Sequence, residues 1–153
     1  MSAFQTADAD FGRRVRESFE RQGAMRLIGA RLGRVEPGRV DIELAFRDDL
    51  GQQHGFFHAG ITSTIADSAG GYAAYTLFPA DSSVLTVEFK INLIAPAHGE
   101  KLVATGRVKK PGSTLSVCEF EVTVLRGGRS KTCALGLQTL MCVQGRADMP
   151  QAG

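Results

Sequence analysis

Apolar residues recur at near-helical spacing at Phe11, Val15 and Phe19, with Ala24 beyond, which predicts a helix over about 9–22 with one apolar stripe. Two strand-like segments follow, Met25 to Val35 and Arg39 to Phe46. Between them Glu36-Pro37-Gly38 puts Pro and Gly where a type II turn takes them, so the pair reads as a hairpin. Its second strand alternates Val40, Ile42, Leu44 and Phe46 with Arg39, Asp41 and Glu43, as a strand with one solvated face must. Arg47 to Phe57 reads as a loop.

Residues 59–78 are rich in Ala, Ser, Thr and Gly, carry Ile61, Ile65, Ala69 and Tyr72 at helical spacing, and stop at Pro79, which predicts a central helix. Four strand candidates come next, 84–95, 101–109, 114–125 and 130–143, separated by turn residues such as Pro111-Gly112 and Gly127-Gly128; in series they read as a meander. The first alternates throughout, Leu85, Val87, Phe89, Ile91 and Leu93 against Thr86, Glu88, Lys90 and Asn92. The third changes apolar phase between Val117 and Cys118, which calls for a bulge or two-sided burial. The last is apolar or small on both faces, as in an interior strand. One helix is left to cover the whole sheet, so the expected fold is α+β, a curved antiparallel sheet wrapped around one long helix. The organisation expected is an N-terminal helical segment over 1–24, a single domain over 25–143 and a loose tail over 144–153.

Composition narrows the class. The chain has 153 residues, 43% hydrophobic and 22% charged, with a formal charge of +2. A globular domain is expected, with no call for a nucleic-acid or membrane partner. Acids interspersed among the N-terminal arginines argue against a targeting peptide. Cys118, Cys133 and Cys142 form an odd set without C-x-x-C spacing, so neither a disulfide framework nor a metal site is expected and a cytoplasmic location fits. His54 and His58 lie four apart, but the residues between them read as loop, which removes a helical zinc pair.

Asp67 is the most informative position, because a carboxylate in the middle of a helix flanked by Ile65, Ala66, Ala69 and Tyr72 needs a reason to be there. Two readings stand. Either it accepts hydrogen bonds from Ser63, Thr64 or a neighbouring strand and is structural, or it faces a ligand in the room left by small residues. His58-Ala59-Gly60 opens the same helix, and a helix N-terminus offers unpaired N–H groups to an oxyanion or is simply capped.

The run from Gln52 through His54-Gly55-Phe56-Phe57-His58-Ala59-Gly60-Ile61 to Ile65-Ala66-Asp67-Ser68-Ala69, followed by Leu85-Thr86-Val87-Glu88-Phe89 and Ile94-Ala95-Pro96, resembles the hotdog-fold acyl-CoA thioesterases of the phenylacetate-degradation type, within the 4-hydroxybenzoyl-CoA thioesterase superfamily. The resemblance covers about residues 25–143 and implies the hotdog fold. It assigns Asp67 as general base or nucleophile, and the Ala59 amide, flanked by His58 and Gly60, as the donor that polarises the thioester carbonyl. Gln52 falls where the family often has Asn near the water or the thioester. Thr86 falls where many members place Ser or Thr. Ala59 stands in place of the middle glycine of a His-Gly-Gly motif. The implied activity is hydrolysis of an acyl-CoA, aryl or medium-chain, with no cofactor and with CoA as part of the substrate. Phe56, Phe57, Tyr72, Tyr75 and Phe78 supply aromatic surface for such an acyl group. Related folds also include dehydratases and non-catalytic acyl-CoA binders, which stand as the alternatives.

Lys109, Lys110 and Arg126, with Arg107, Arg129 and Lys131, gather in the sequence around the last hairpins, where they would meet CoA phosphates or form solvated turns. Ala59 and Asp67 are eight residues apart, about 12 Å along one helix, whereas a donor and a base must both lie within about 3 Å of one reacting group. If both are catalytic they come from two chains, which matches the dimers and tetramers that the resemblance implies.

Overall fold

The computed structural model describes residues 4–148. The leading helix, α1, spans Phe11–Arg21 and buries Val15, Ser18 and Phe19, the spacing of one helical face. A short helix, α2 (Gly23–Ile28), follows where a strand was expected. Met25 and Ile28 are three apart and both buried, and Gly29 at φ 77° ends the turn, with its N–H donating to Arg26 O and that of Ala30 to Met25 O. This glycine stop moves the start of strand β1 to Arg31.

The hairpin is β1 (Arg31–Glu36) and β2 (Arg39–Ala45), closed by Pro37-Gly38 with Gly38 at φ 75°, as a type II turn requires. A 3-10 turn over Asp48–Leu50 breaks the loop that leads to the central helix, α3 (Ala59–Tyr75). The four later strands are β3 (Ser83–Leu93), β4 (Lys101–Lys110), β5 (Leu115–Arg126) and β6 (Arg129–Val143). All pairings are antiparallel and the sheet order is β1-β2-β4-β5-β6-β3. Only β4, β5 and β6 form the expected meander. The first of the four strands crosses instead to the far edge, beside β6, so that β2 can pair with β4.

Helix α3 packs against β2, β3, β4, β5 and β6, so the sheet curves around it. Its residues from Ala69 to Tyr75 are all buried, while Ala59 and Gly60 at its start are exposed. The helix comes down onto β4 at Gly106, where a Cβ would lie 2.3 Å from Ala69 O; only glycine allows this approach. In β5, burial of Ser116, Cys118, Phe120, Val122 and Val124 alternates without a break. The irregularity expected at 117–118 sits in the neighbouring strand, where β4 bulges between Val108, paired with Cys118, and Lys110, paired with Val117.

A second bulge decides the geometry of the site. The register of β3 on β6 shifts between Thr86 and Glu88, so Val87 is the extra residue and the alternation inverts there. Thr86, opposite Leu140, and Phe89, opposite the buried Gln138, lie on the helix side, whereas Glu88 and Lys90 lie on the outer side. The unbroken alternation read from the sequence puts Thr86 with Glu88 and Lys90. The bulge corrects that, re-aiming Thr86 toward α3.

The described part of the tail is tied down: Gln144 Nε2 donates to Ser113 O, and Arg21 Nη2 donates to Asp148 O at 2.6 Å. Residues 1–3 and 149–153 of the two terminal segments lie outside the described residues.

Candidate active site

Asp67 projects from the middle of α3 and is half-buried. Its Oδ1 accepts a 2.7 Å hydrogen bond from Thr86 Oγ1 and a 3.2 Å bond from Gln138 Nε2. The Gln138 amide also donates to the backbone carbonyl of Asp67 at 3.2 Å. Ser63 and Thr64, the local partners one reading proposed, instead donate back to Ala59 O and Gly60 O within the helix. Asp67 therefore draws its partners from two strands. It opens on a cavity of about 130 Å³ with Ser18, Gln22, Ser68, Tyr72 and Thr86 in its wall. Ser18 and Tyr72 share a 3.1 Å hydroxyl contact there, and Ser68 donates to Gln22 Oε1. Burial pushes the Tyr72 phenol up to about 12, so it stays protonated at neutral pH.

The other predicted residues form a separate group at the start of α3. His58 is the N-cap: its Nδ1 accepts from Gly60 N–H at 2.9 Å and its carbonyl receives Ile61 and Thr62. Its imidazole caps the helix rather than facing Asp67. With Gly60 engaged, the exposed Ala59 N–H is left without an acceptor among the described residues. Among the described residues none other than glycine has a positive φ, so Ala in place of Gly at 59 costs the backbone nothing. Gln52 turns its Oε1 onto His54 N–H, and its own N–H donates to Phe56 O. Gln52, His58 and Ala59 line a groove of about 340 Å³ with Phe56, Leu93 and Cys133. This groove and the Asp67 cavity share no wall residue. The geometry thus joins Thr86 to Asp67 and separates both from Ala59, His58, Gly60 and Gln52.

The basic residues do not form one cluster. Lys101 pairs with Leu125 and Lys110 with Val117, so Arg126 and the pair Lys109, Lys110 stand at opposite ends of β4 and β5, about 30 Å apart at ~3.4 Å per residue. One phosphate group cannot meet both sets in a single chain. Lys109 is also paired with Glu119 at 3.3 Å. Arg126 lies within 3.1 Å of His98, whose ring packs tilted against Phe56 with centroids 5.2 Å apart; of the predicted cations it is the one connected to the Ala59 groove. The aromatic surface is also smaller than expected. Tyr75 and Phe78 are buried core, leaving Phe56 and the buried Phe57 in the wall of the groove and the buried Tyr72 in that of the cavity.

Among the described residues no group of His, Cys, Asp or Glu is placed to hold a metal. The three cysteines are free and buried, and desolvation raises the thiols of Cys118 to about 12 and Cys133 to about 11. They behave as apolar residues, not nucleophiles. Gln138 is the site residue that sequence reasoning misses. It reads as the one amide in the stretch Cys133 to Val143 of β6, and the available signal was that an interior strand should not carry an amide without a partner.

An antiparallel sheet folded around one helix, with a mid-helix carboxylate and an open helix N-terminus, defines the hotdog enzymes as a class. The model of the thioesterase superfamily matches residues 54–131. The chain belongs to that superfamily, a family of thioester hydrolases. A crystal structure of a thioesterase family protein from Silicibacter pomeroyi is 44% identical, with a TM-score of 0.87 over 88% of this chain and 99% of that one. The PaaI protein of the phenylacetic acid degradation operon of E. coli shares the fold at 17% identity, TM-score 0.80, over 93% of this chain and 99% of its own. A provisionally named esterase of Saccharolobus solfataricus is 34% identical over 57% of this chain, and the match spans 61% of that relative's length. Human acyl-coenzyme A thioesterase 13 is 30% identical over 69% of this chain and 73% of its own.

Proposed function

We propose that this protein hydrolyses the thioester of an acyl-CoA, with Asp67 as base or nucleophile and the Ala59 amide of a second copy polarising the carbonyl. The observation that carries the reading is the Asp67 carboxylate, held on one oxygen by Thr86 and Gln138 and open to a cavity. As base, Asp67 takes a proton from water as the water oxygen attacks the carbonyl carbon, the oxyanion forms against the Ala59 N–H, and the C–S bond breaks as the proton passes to the departing sulfur. As nucleophile, the carboxylate attacks the carbonyl carbon and forms an acyl anhydride as the C–S bond breaks and CoA leaves as the thiolate; water then opens the anhydride, freeing the acid and Asp67 and supplying the proton that the thiolate takes up. No cofactor is required for either course. The relatives that act on acyl-CoA support the substrate class, and Arg126 beside the Ala59 groove is the cation best placed for a CoA phosphate.

The second copy is supported by the edge strand. β3 is eleven residues long, unpaired on one side, and exposes Leu85, Val87, Phe89 and Leu93; such an edge is a template for another strand. Thr86 stands at the Asp67 end of β3, and Leu93 lines the Ala59 groove. Antiparallel pairing of two β3 strands about a two-fold axis near residues 89–90 sets Thr86 of one chain opposite Leu93 of the other. That pairing brings the two half-sites together, twice per dimer. Stacking of such dimers gives a tetramer.

A free-thiol release assay across a panel of acyl-CoAs tests the reading. Wild type should release CoA thiol, and Asp67→Asn, which keeps the volume and removes the base, should lose all but about a thousandth of the turnover while still binding the ester. Tight binding without thiol release by wild type would make the protein an acyl-CoA binder instead.

A further inference from the structure

Gln138 is completely buried, yet its amide is only half used. Nε2 reaches the carboxylate and the carbonyl of Asp67, whereas Oε1 is buried with no hydrogen-bond partner among the described residues. The reverse amide orientation would bring Oε1 against the carboxylate and the Asp67 carbonyl, three acceptors together, so the donor must face Asp67. An orphaned buried acceptor lowers stability, and the Asp67 carbonyl already has its helical partner four residues on. The fold itself therefore has no need of this amide; methionine would fill β6 at that point without leaving an orphan.

The room for Gln138 comes from α3. A Cβ on Gly70 would lie 1.9 Å from Gln138 Oε1 and 2.6 Å from Cδ. Glycine in a helix interior is unfavourable, and here it admits the amide that reaches Asp67, one turn back on the same helix. On the other side the Val87 bulge brings in Thr86, which donates to the same oxygen, Oδ1. Two donors on one carboxylate oxygen fix the torsion of the group and leave Oδ2 as the oxygen with no partner among the described residues.

We infer that Gln138 is a positioning residue which, admitted by Gly70, locks the Asp67 carboxylate so that Oδ2 alone is presented to water or the thioester. The inference rests on the thioesterase reading of Asp67. Its test compares Gln138→Met, Gly70→Ala, the double variant and Asp67→Asn by acyl-CoA turnover and thermal melting. Gln138→Met should lower kcat about ten- to a hundredfold, the scale of a misplaced reacting group, with KM within about twofold and a melting temperature equal to or above that of wild type. Gly70→Ala should show the same kcat loss by pushing the amide aside. The double variant should be no worse than Gln138→Met, because both changes remove the same contact. A merely structural Gln138 would lower the melting temperature and spare the kcat of the folded fraction, and that result overturns the lock. Multiplying losses in the double variant overturn it as well. If Asp67→Asn retains turnover, the base assignment fails and the lock with it; if Asp67→Asn is inactive while Gln138→Met is not, the lock alone fails.

Discussion

At the scale of single residues the site depends on which hydroxyls and thiols are engaged and which are merely buried. Thr86 donates to Asp67 over 2.7 Å, so Thr86→Ala should cost about ten- to a thousandfold in kcat, as loss of one oriented donor does. Thr86→Ser, which keeps the hydroxyl, should stay within a few-fold of wild type; steady-state kinetics on one acyl-CoA checks both. The cysteines have the opposite character. Burial raises the Cys118 thiol from 9.0 to about 12 and the Cys133 thiol to about 11, and the Tyr72 phenol also rises to about 12. Between the unfolded and folded values the folded chain holds protons that the unfolded chain has released. Stability is therefore complete below about pH 9 and falls as pH rises toward 12. Melting curves from pH 7 to 11 should show that decline, and Cys118→Ala should make it shallower. Native protein at pH 8 should also be unreactive to Ellman's reagent.

At the scale of elements, Arg14 ties α1 to the carbonyl end of α3, beside the Ser18–Tyr72 contact between the same two helices. Arg14 pairs with Asp8 at 2.9 Å, donates to the carbonyls of Tyr75, Phe78 and Pro79, and lies 4.2 Å from the centre of the Tyr75 ring. The guanidinium caps the carbonyl end of the central helix, where a cation suits the dipole. Both partners of the ion pair are about nine-tenths covered, with exposures of 14% and 13%, so removing one strands the other. Arg14→Met should lower unfolding free energy by about 3 kcal/mol, read from urea denaturation. Because α1 supplies Ser18 to the wall beside Asp67, the substrate KM should rise as well.

At the scale of the whole molecule, the separation of Ala59 from Asp67 predicts complementation. A bulky change at Ala59, such as Ala59→Trp, and Asp67→Asn each disable both proposed sites of a homodimer. Hybrids carrying one chain of each kind regain one intact site and one doubly damaged site. Mixing the two inactive proteins under exchange conditions should restore activity, up to about a quarter of wild type when hybrids make up half of the dimers. Full activity in a species shown by light scattering to be monomeric would refute the shared site.

Residue spacing by itself determined the helix stripe of α1, the Pro37-Gly38 hairpin, the central helix and the number of strands, because these rest on local periodicity and on backbone preferences that neighbours in the chain impose. The mid-helix carboxylate stood out for the same reason, as a charge in a run that had to be buried. What lay out of reach was partnership. The strand pattern carries no record of which edge β3 joins, and one inserted residue, Val87, inverts every side chain on one side of it. Tertiary structure alone put Thr86 and Gln138 on Asp67 and sent Lys110 and Arg126 to opposite ends of the sheet. The two contacts to Asp67 span 19 and 71 residues of sequence. They are fixed by how six strands close around one helix, a matter of long-range packing that no local pattern encodes.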